Sequence, residues 1–135
     1  MNSYLLMITF RVWLAEILVS GFNYFVLIKR VYEPRVGELR AHRIGMLTRI
    51  AYIFPFAYLL VTASGASTVG EYLLAGAYWL GLVLAFEWIG SFILRRPVRE
   101  ILAGWHVERG YLWPYVLVAY FISPLTVGLI VDLIG

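Results

Sequence analysis

Hydrophobic side chains are grouped along this chain into four long runs, with most of the charge between them. We refer to the runs as spans one to four, and they cover residues 3–28, 46–67, 72–94 and 111–134. Each is long enough for a helix to cross a bilayer core, which requires about 20 predominantly apolar residues. The pattern predicts an all-α polytopic membrane protein, with a single four-helix transmembrane domain over residues 1–135.

The basic residues are distributed unevenly between the two ends of these spans. Ten of the eleven Lys and Arg side chains lie in or beside the connections that follow span one and span three. These ten are Lys29, Arg30, Arg35, Arg40, Arg43, Arg49, Arg95, Arg96, Arg99 and Arg109. Cytoplasmic loops carry an excess of Lys and Arg, so we expect both connections to be cytoplasmic and both termini to lie outside the cytoplasm.

The composition agrees with a membrane protein and narrows the choice of partners. The chain is 62% hydrophobic and 14% charged, which leaves no material for a soluble domain. Its net charge of +3 comes from cations beside helix ends, where anionic inner-leaflet lipids are a better partner than nucleic acid. The absence of cysteine excludes disulfides, thiolate metal sites and cysteine nucleophiles.

The segment between spans three and four has the pattern of a short amphipathic helix. Pro97 suits a first helical position, and apolar residues recur at Val98, Ile101, Leu102 and Trp105. We expect this helix to lie in the cytoplasmic interface; a linker tucked under the bundle is the alternative. The residues predicted to contact lipid headgroups are Arg95, Arg96, Arg99 and Trp105.

The other two connections differ in length and composition. Residues 64–71 form a short turn rich in small side chains, which predicts that spans two and three are antiparallel neighbours. Residues 29–43 include Pro34 and Gly37, and we predict a turn there, followed by a short helix from about Val36.

Polar residues within span one fall on one side of the predicted helix. Thr9, Glu16, Ser20 and Asn23 lie within about 60° of one another at 100° per residue. Arg11 points away from this stripe and is close enough to the outer end to reach the headgroups. Glu16 must therefore find its partner on another helix or stay protonated.

Asn23, Arg49 and Glu87 are predicted to share one layer of the bundle, near its cytoplasmic end. One interpretation is a buried Arg49–Glu87 ion pair, capped by Asn23 and Tyr52, that fixes the helix order. The other is a proton or ion relay with Glu87 and Glu16 as stations. The predicted intramembrane polar cluster consists of Glu16, Ser20, Asn23, Arg49 and Glu87.

Span three also carries small residues at a regular spacing. Ala77, Gly81 and Ala85 recur every four residues, on a face different from that of Glu87. Small residues at this spacing allow a second helix to approach closely. We predict that this face is a helix interface, either within the bundle or between subunits.

Signals for catalysis or cofactor binding are weak. His42 and His106 lie near acidic residues in the basic connections and are the candidates for a metal site. The chain has no HExxH motif, no glycine-rich phosphate loop and no nucleophile with an adjacent base. The sequence therefore identifies no cofactor, and we expect these histidines to be solvated loop residues.

Three short segments resemble a known group of proteins. They are Val36–His42, with the sequence VGELRAH, the pair Phe86–Glu87, and Arg109–Pro114, with the sequence RGYLWP. Together they are similar to a family of small four-helix bacterial inner-membrane proteins. The resemblance implies the fold and a bacterial inner membrane, and it implies no activity.

We therefore expect a non-enzymatic inner-membrane protein that acts as a subunit or assembly partner of a larger complex, or associates with itself, through span three. The alternative is a small homo-oligomeric transporter or channel, coupled to ions or protons, with a path lined by Glu16, Asn23, Arg49 and Glu87. A third hypothesis is a membrane enzyme that acts on a lipid or quinone near His42 and His106.

Overall fold

The fold is a bundle of long helices in a computed structural model. The structure describes residues 3–95, 97–103 and 105–134, with the backbone only at residues 100, 101, 103 and 109. Within this part of the chain, four helices are long and apolar enough to cross a membrane: Ser3–Val36, Glu38–Ser64, Val69–Ile93 and Trp113–Ile134. The predicted all-helical, multi-pass membrane architecture is thus confirmed.

The first membrane-spanning helix extends well beyond the end of span one. Helix α1 covers Ser3–Phe22, continues as a π-helical segment, Asn23–Tyr32, and ends in one α-helical turn, α2, Glu33–Val36. The prediction of a turn before Val36 is therefore wrong except for the break at Gly37. A helix does start close to Val36, at Glu38, but it is long and not short. Gly37, with φ of 90°, breaks the chain direction because a glycine adopts positive φ without a steric cost.

The second and third helices have well-defined ends at their connection. Helix α3, Glu38–Ser64, stops where Gly65 adopts the left-handed conformation at φ of 72°. Helix α4, Val69–Ile93, is capped at its N-terminus by Thr68, whose hydroxyl accepts a hydrogen bond from the backbone N–H of Glu71. The Glu71 carboxylate in turn accepts from the Ser67 backbone N–H, which fixes the start of the helix.

The long helices are arranged so that α3 and α4 lie across the bundle from each other. Helix α1 packs against α3 and α4, and α6, Trp113–Ile134, packs against the same two helices from the other side. The prediction that spans two and three, which correspond to α3 and α4, are neighbours is therefore wrong. Five Cα steps span up to roughly 17 Å, more than the diagonal of a bundle whose neighbouring axes are about 8 to 10 Å apart.

Two glycines allow α4 and α6 to approach each other closely. A Cβ atom at Gly76 of α4 would collide with the carbonyl oxygen of Phe121, and one at Gly128 of α6 would collide with the Tyr72 ring. Trp79 and Tyr120 are fully buried between these helices, with ring centroids 5.1 Å apart. The α4–α6 contact therefore consists of close backbone approach at the two glycines and packing of aromatic side chains.

The connection between α4 and α6 contains a short helix, α5, Val98–Ala103, and a 3-10 turn, Val107–Arg109. Helix α5 ends before Trp105, and its Val98 and Leu102 side chains are exposed. The Arg43 Nε atom of α3 donates a hydrogen bond of 2.9 Å to the carbonyl oxygen of Gly110. The two basic connections therefore meet at the same end of the bundle.

A buried polar network beside an open cavity as the candidate functional site

The polar stripe predicted on the first helix faces the bundle interior. Thr9, Glu16, Ser20 and Asn23 are all buried, whereas Arg11 is exposed on the outer surface. The four stripe residues therefore face other helices and not the outer surface. Buried polar side chains require hydrogen-bonding partners, because an apolar environment supplies none. Thr9 donates to the Leu5 carbonyl oxygen of its own helix, whereas the other three side chains have partners on α3 or α6.

Glu16 is the centre of a network that joins three of the long helices. Its Oε1 atom lies 3.7 Å from the Arg49 Nε atom of α3 and accepts a hydrogen bond of 2.7 Å from the Tyr120 hydroxyl of α6. Ser20 of α1 also donates to this oxygen. Of the two alternatives for Glu16, a partner on another helix or a protonated carboxyl group, the structure shows partners on α3 and α6.

A second tyrosine extends the network along α3. The Tyr52 and Ser20 hydroxyl oxygens are 2.7 Å apart. Because Ser20 gives its only hydroxyl hydrogen to Glu16, Tyr52 is the donor in this contact. Tyr120 thus contacts Glu16 directly, and Tyr52 is linked to it through Ser20.

Arg49 lies on the opposite side of Glu16 and is itself 9% exposed. Its Nε atom donates a hydrogen bond of 2.8 Å to the Tyr120 hydroxyl, and its guanidinium carbon lies 4.9 Å from the centre of the Trp113 ring. Among the described residues, no hydrogen bond engages its two terminal amino groups. These groups are therefore available to a ligand.

The expected pairing of Arg49 with Glu87 differs from the observed one. The ion pair of Arg49 is with Glu16, while the Oε2 atom of Glu87 accepts a hydrogen bond of 2.7 Å from the Trp113 indole N–H. Asn23 does not cap that pair; its amide nitrogen donates to the Gly45 carbonyl oxygen at 3.1 Å. Trp113 thus contacts both Arg49 and Glu87, the two residues that were expected to pair with each other.

A cavity of about 430 Å³ lies beside this network, between the first membrane-spanning helix and α4. Arg49, Ser20, Glu87 and Trp113 line its inner part. Residues near the helix ends complete the polar lining, namely Lys29, Glu33, Glu38, His42, Ser91 and Tyr111. The volume lies in the range of small-molecule sites, about 300 to 1,000 Å³.

The cavity opens on the apolar outer surface of the bundle. Phe25, Phe86 and Leu94 line it and are also 63%, 51% and 71% exposed, respectively. The π-helical segment Asn23–Tyr32 packs on α3 and leaves the gap toward α4. On a bundle of membrane-spanning helices, exposed apolar side chains of this kind are suited to contact with lipid tails.

His42 contributes a fixed side chain to the cavity wall. Its Nε2 atom accepts a hydrogen bond of 3.1 Å from the backbone N–H of Leu112, and its ring packs edge-on against Tyr111, with centroids 4.9 Å apart. The prediction of a solvated loop residue is wrong for His42, which is part-buried at the junction of α3 with the start of α6.

The other predicted sites remain separate from the cavity. The Nδ1 atom of His106 lies 2.9 Å from Glu108 on an exposed turn, and no group of three metal-ligating side chains occurs in the described ranges. Arg95 and Arg99 are exposed, Trp105 is half-buried, and Arg96 lies outside the described residues. Ala77, Gly81 and Ala85 form an exposed face of α4, where a Cβ at Gly81 meets no atom within 4 Å.

Sequence reasoning missed Tyr120, Trp113 and the cavity itself. Tyr120 occurs in a run that also contains Tyr115 and Phe121, and only Tyr120 is buried, so composition gave no reason to select it. Comparisons with protein-family models, with curated proteins and with solved structures found no match.

Proposed function

We propose that this protein is a non-enzymatic binding protein of the membrane, which holds one amphiphilic molecule between its first membrane-spanning helix and α4. The observation that supports this most directly is the cavity of about 430 Å³ with polar groups at its inner end and exposed apolar side chains at its mouth. An amphiphile matches both parts, because its head satisfies the polar groups and its tail extends into the bilayer.

The burial and the hydrogen bonding of Arg49 favour a bound molecule over an empty packing defect. The side chain is nine-tenths buried and lines the cavity, and no hydrogen bond to its amino groups occurs among the described residues. A headgroup oxygen in the cavity can accept from these groups, and hydrogen bonds from a charged donor are stronger than those between neutral groups. The ligand therefore stabilises the folded protein.

The test uses two glycine substitutions of equal size at positions where a side chain has room. A Cβ at Gly21 or at Gly81 meets no atom within 4 Å, but only Gly21 lines the cavity. Native mass spectrometry of gently extracted protein should detect a bound amphiphile in the wild type and in Gly81→Leu, and none in Gly21→Leu. Equal retention in both variants would place the ligand elsewhere and refute the proposal.

A second proposal concerns assembly: the protein acts as a subunit of a larger membrane complex, or of a homo-oligomer, through the face of α4 formed by Ala77, Gly81 and Ala85. This face is exposed, and nothing within 4 Å fills the space above Gly81. Small residues at this spacing permit close helix contact in a membrane. The binding and assembly roles use different faces and are compatible.

The location that best fits these roles is a bacterial inner membrane, with the basic end of the bundle and the cavity mouth in the cytoplasmic half. Helix α5 would then lie in the interface, with Arg95 and Arg99 on anionic headgroups. The transporter alternative requires a route past the Glu16–Arg49–Tyr120 network at the inner end of the cavity. Ligand-dependent flux in liposomes would favour it over simple binding.

A further inference from the structure

We propose that the cavity binds the ring of a quinone-type lipid, whose two opposed carbonyl oxygens accept hydrogen bonds from Arg49 and His42. The inference rests on the proposed binding function and specifies the ligand class. Four features of the cavity support a quinone: two fixed donors, their placement on one face of α3, the balance of charge and the aromatic walls.

Arg49 supplies the donor at the inner end. Its Nε edge is occupied by Tyr120 and Glu16, so the guanidinium group has one defined orientation. The terminal amino groups on the other edge border the cavity and have no described hydrogen-bonding partner. A carbonyl oxygen of a ligand can accept from them without disturbing the network.

His42 supplies the donor nearer the cavity mouth. The backbone N–H of Leu112 can only donate, so the Nε2 atom of His42 holds a lone pair. In the neutral imidazole the hydrogen is then on Nδ1, for which the described residues provide no acceptor. The fixed tautomer leaves Nδ1 of this cavity-lining residue as a hydrogen-bond donor, and it also excludes Nε2 as a metal ligand.

The two donors lie on one side of α3. His42 and Arg49 are seven residues apart on this helix, which corresponds to about 10 Å along the helix axis and nearly the same face. Both line the cavity, so one ligand that lies along α3 can contact both. A ring with carbonyl oxygens at opposite ends offers two separate acceptors for them, whereas a single carboxylate has both oxygens on one carbon atom.

The charges around the cavity favour a neutral head. Arg49 is already compensated by Glu16, and Lys29 at the mouth pairs with Glu33 at 3.2 Å. Glu87 and Glu38 add acidic side chains to the lining. An anionic head would therefore place another negative charge beside carboxylates in a region of low dielectric constant, whereas a quinone brings none.

The walls and the opening suit the rest of such a molecule. Aromatic side chains line the cavity at Phe25, Phe86, Tyr111 and Trp113, and flat rings pack well against them. The opening at Phe25, Phe86 and Leu94 gives an isoprenoid tail direct access to the bilayer. The cavity volume accommodates the ring, while the tail remains among the lipids.

The test measures binding of decyl-benzoquinone, decylbenzene and oleate to the purified full-length protein in phosphatidylcholine nanodiscs. The three probes have apolar chains, and only the first carries the two carbonyl groups. We expect decyl-benzoquinone to bind at least about ten times more tightly than decylbenzene. His42→Phe, which keeps an aromatic ring, should weaken quinone binding roughly 3- to 10-fold, the loss of one hydrogen bond, without changing decylbenzene binding.

The outcomes separate this inference from the proposed function. Tighter binding of oleate than of the quinone, or equal binding of decylbenzene, would overturn the quinone assignment while leaving an amphiphile site. Unchanged quinone affinity in His42→Phe would also overturn the two-donor geometry. If no probe binds and no amphiphile co-purifies with the wild type, both the inference and the binding function are refuted.

Discussion

The Nε atom of Arg49 lies 3.7 Å from the Glu16 carboxylate, and the Tyr120 hydroxyl hydrogen bonds to both side chains. This relationship joins α1, α3 and α6 in the bundle interior. Desolvated ion pairs contribute little net stability compared with apolar packing, but removal of one partner is costly because a buried charge remains. The pair therefore fixes the helix arrangement, and its disruption has measurable consequences.

Neutralisation of Glu16 should destabilise the bundle more than neutralisation of Glu87. Glu16→Gln leaves Arg49 without its counter-charge, at a cost of about 3 kcal/mol, whereas Glu87 shares a hydrogen bond with Trp113. Thermal unfolding in detergent should show the larger decrease in Tm for Glu16→Gln. The double variant with Arg49→Gln should recover part of the loss, because no unpaired charge remains. A larger decrease for Glu87→Gln would contradict the observed pairing.

Removal of the Tyr120 hydroxyl should weaken the same network without a change in charge. Tyr120→Phe deletes the donor to Glu16 and the acceptor of Arg49 Nε, and we expect a loss of about 1 to 3 kcal/mol in unfolding free energy. Tyr115→Phe is the matched control, because Tyr115 lies on the same helix and is exposed. Equal melting temperatures for the two variants would show that the Tyr120 hydroxyl bonds add no stability.

A methyl group should be tolerated at Gly81 and not at Gly76, although both glycines lie on α4. The Cβ atom of Gly76→Ala would collide with the Phe121 carbonyl oxygen of α6, while that of Gly81→Ala would meet nothing within 4 Å. We expect Gly76→Ala to lower the Tm by several degrees and Gly81→Ala to leave it unchanged or slightly raised, since alanine favours a helix. A stable Gly76→Ala would mean that α4 and α6 are further apart than observed.

A bulky residue on the exposed α4 face should interfere with assembly while leaving the bundle folded. Gly81→Leu should insert into the membrane normally, because lipid accepts leucine readily, but it should reduce the native complex measured by blue-native electrophoresis or by mass. Gly21→Leu, on the cavity side, should leave the complex intact. An unchanged complex in Gly81→Leu would remove this face as an interface.

Single cysteines should report the orientation of the bundle, since the natural chain has none. Val36 lies at the basic end and Ser67 in the turn at the opposite end, and both are exposed. From the positive-inside rule, a membrane-impermeant maleimide added to intact cells should label Ser67→Cys and spare Val36→Cys. The reverse labelling would invert the proposed topology.

The sequence by itself determined the membrane environment, the number of candidate spans and the polar face of the first helix. Apolar runs of about 20 residues have few alternatives to membrane-spanning helices, and helical periodicity alone places Thr9, Glu16, Ser20 and Asn23 on one face. In the structure this face is buried. These properties are local, because they depend on the composition and spacing of residues within one segment.

Only the tertiary structure decided which helices are neighbours and which polar groups meet. Position along the helices predicts that Arg49 and Glu87 lie at similar depths in the bundle. It does not predict the rotation of α3, which directs Arg49 toward Glu16, or the Trp113 ring beside Glu87. The diagonal position of α3 and α4 and the cavity beside α1 likewise depend on contacts between distant segments. Such contacts are selected by the joint packing of all four helices, including the close approach at Gly76, which no single segment encodes.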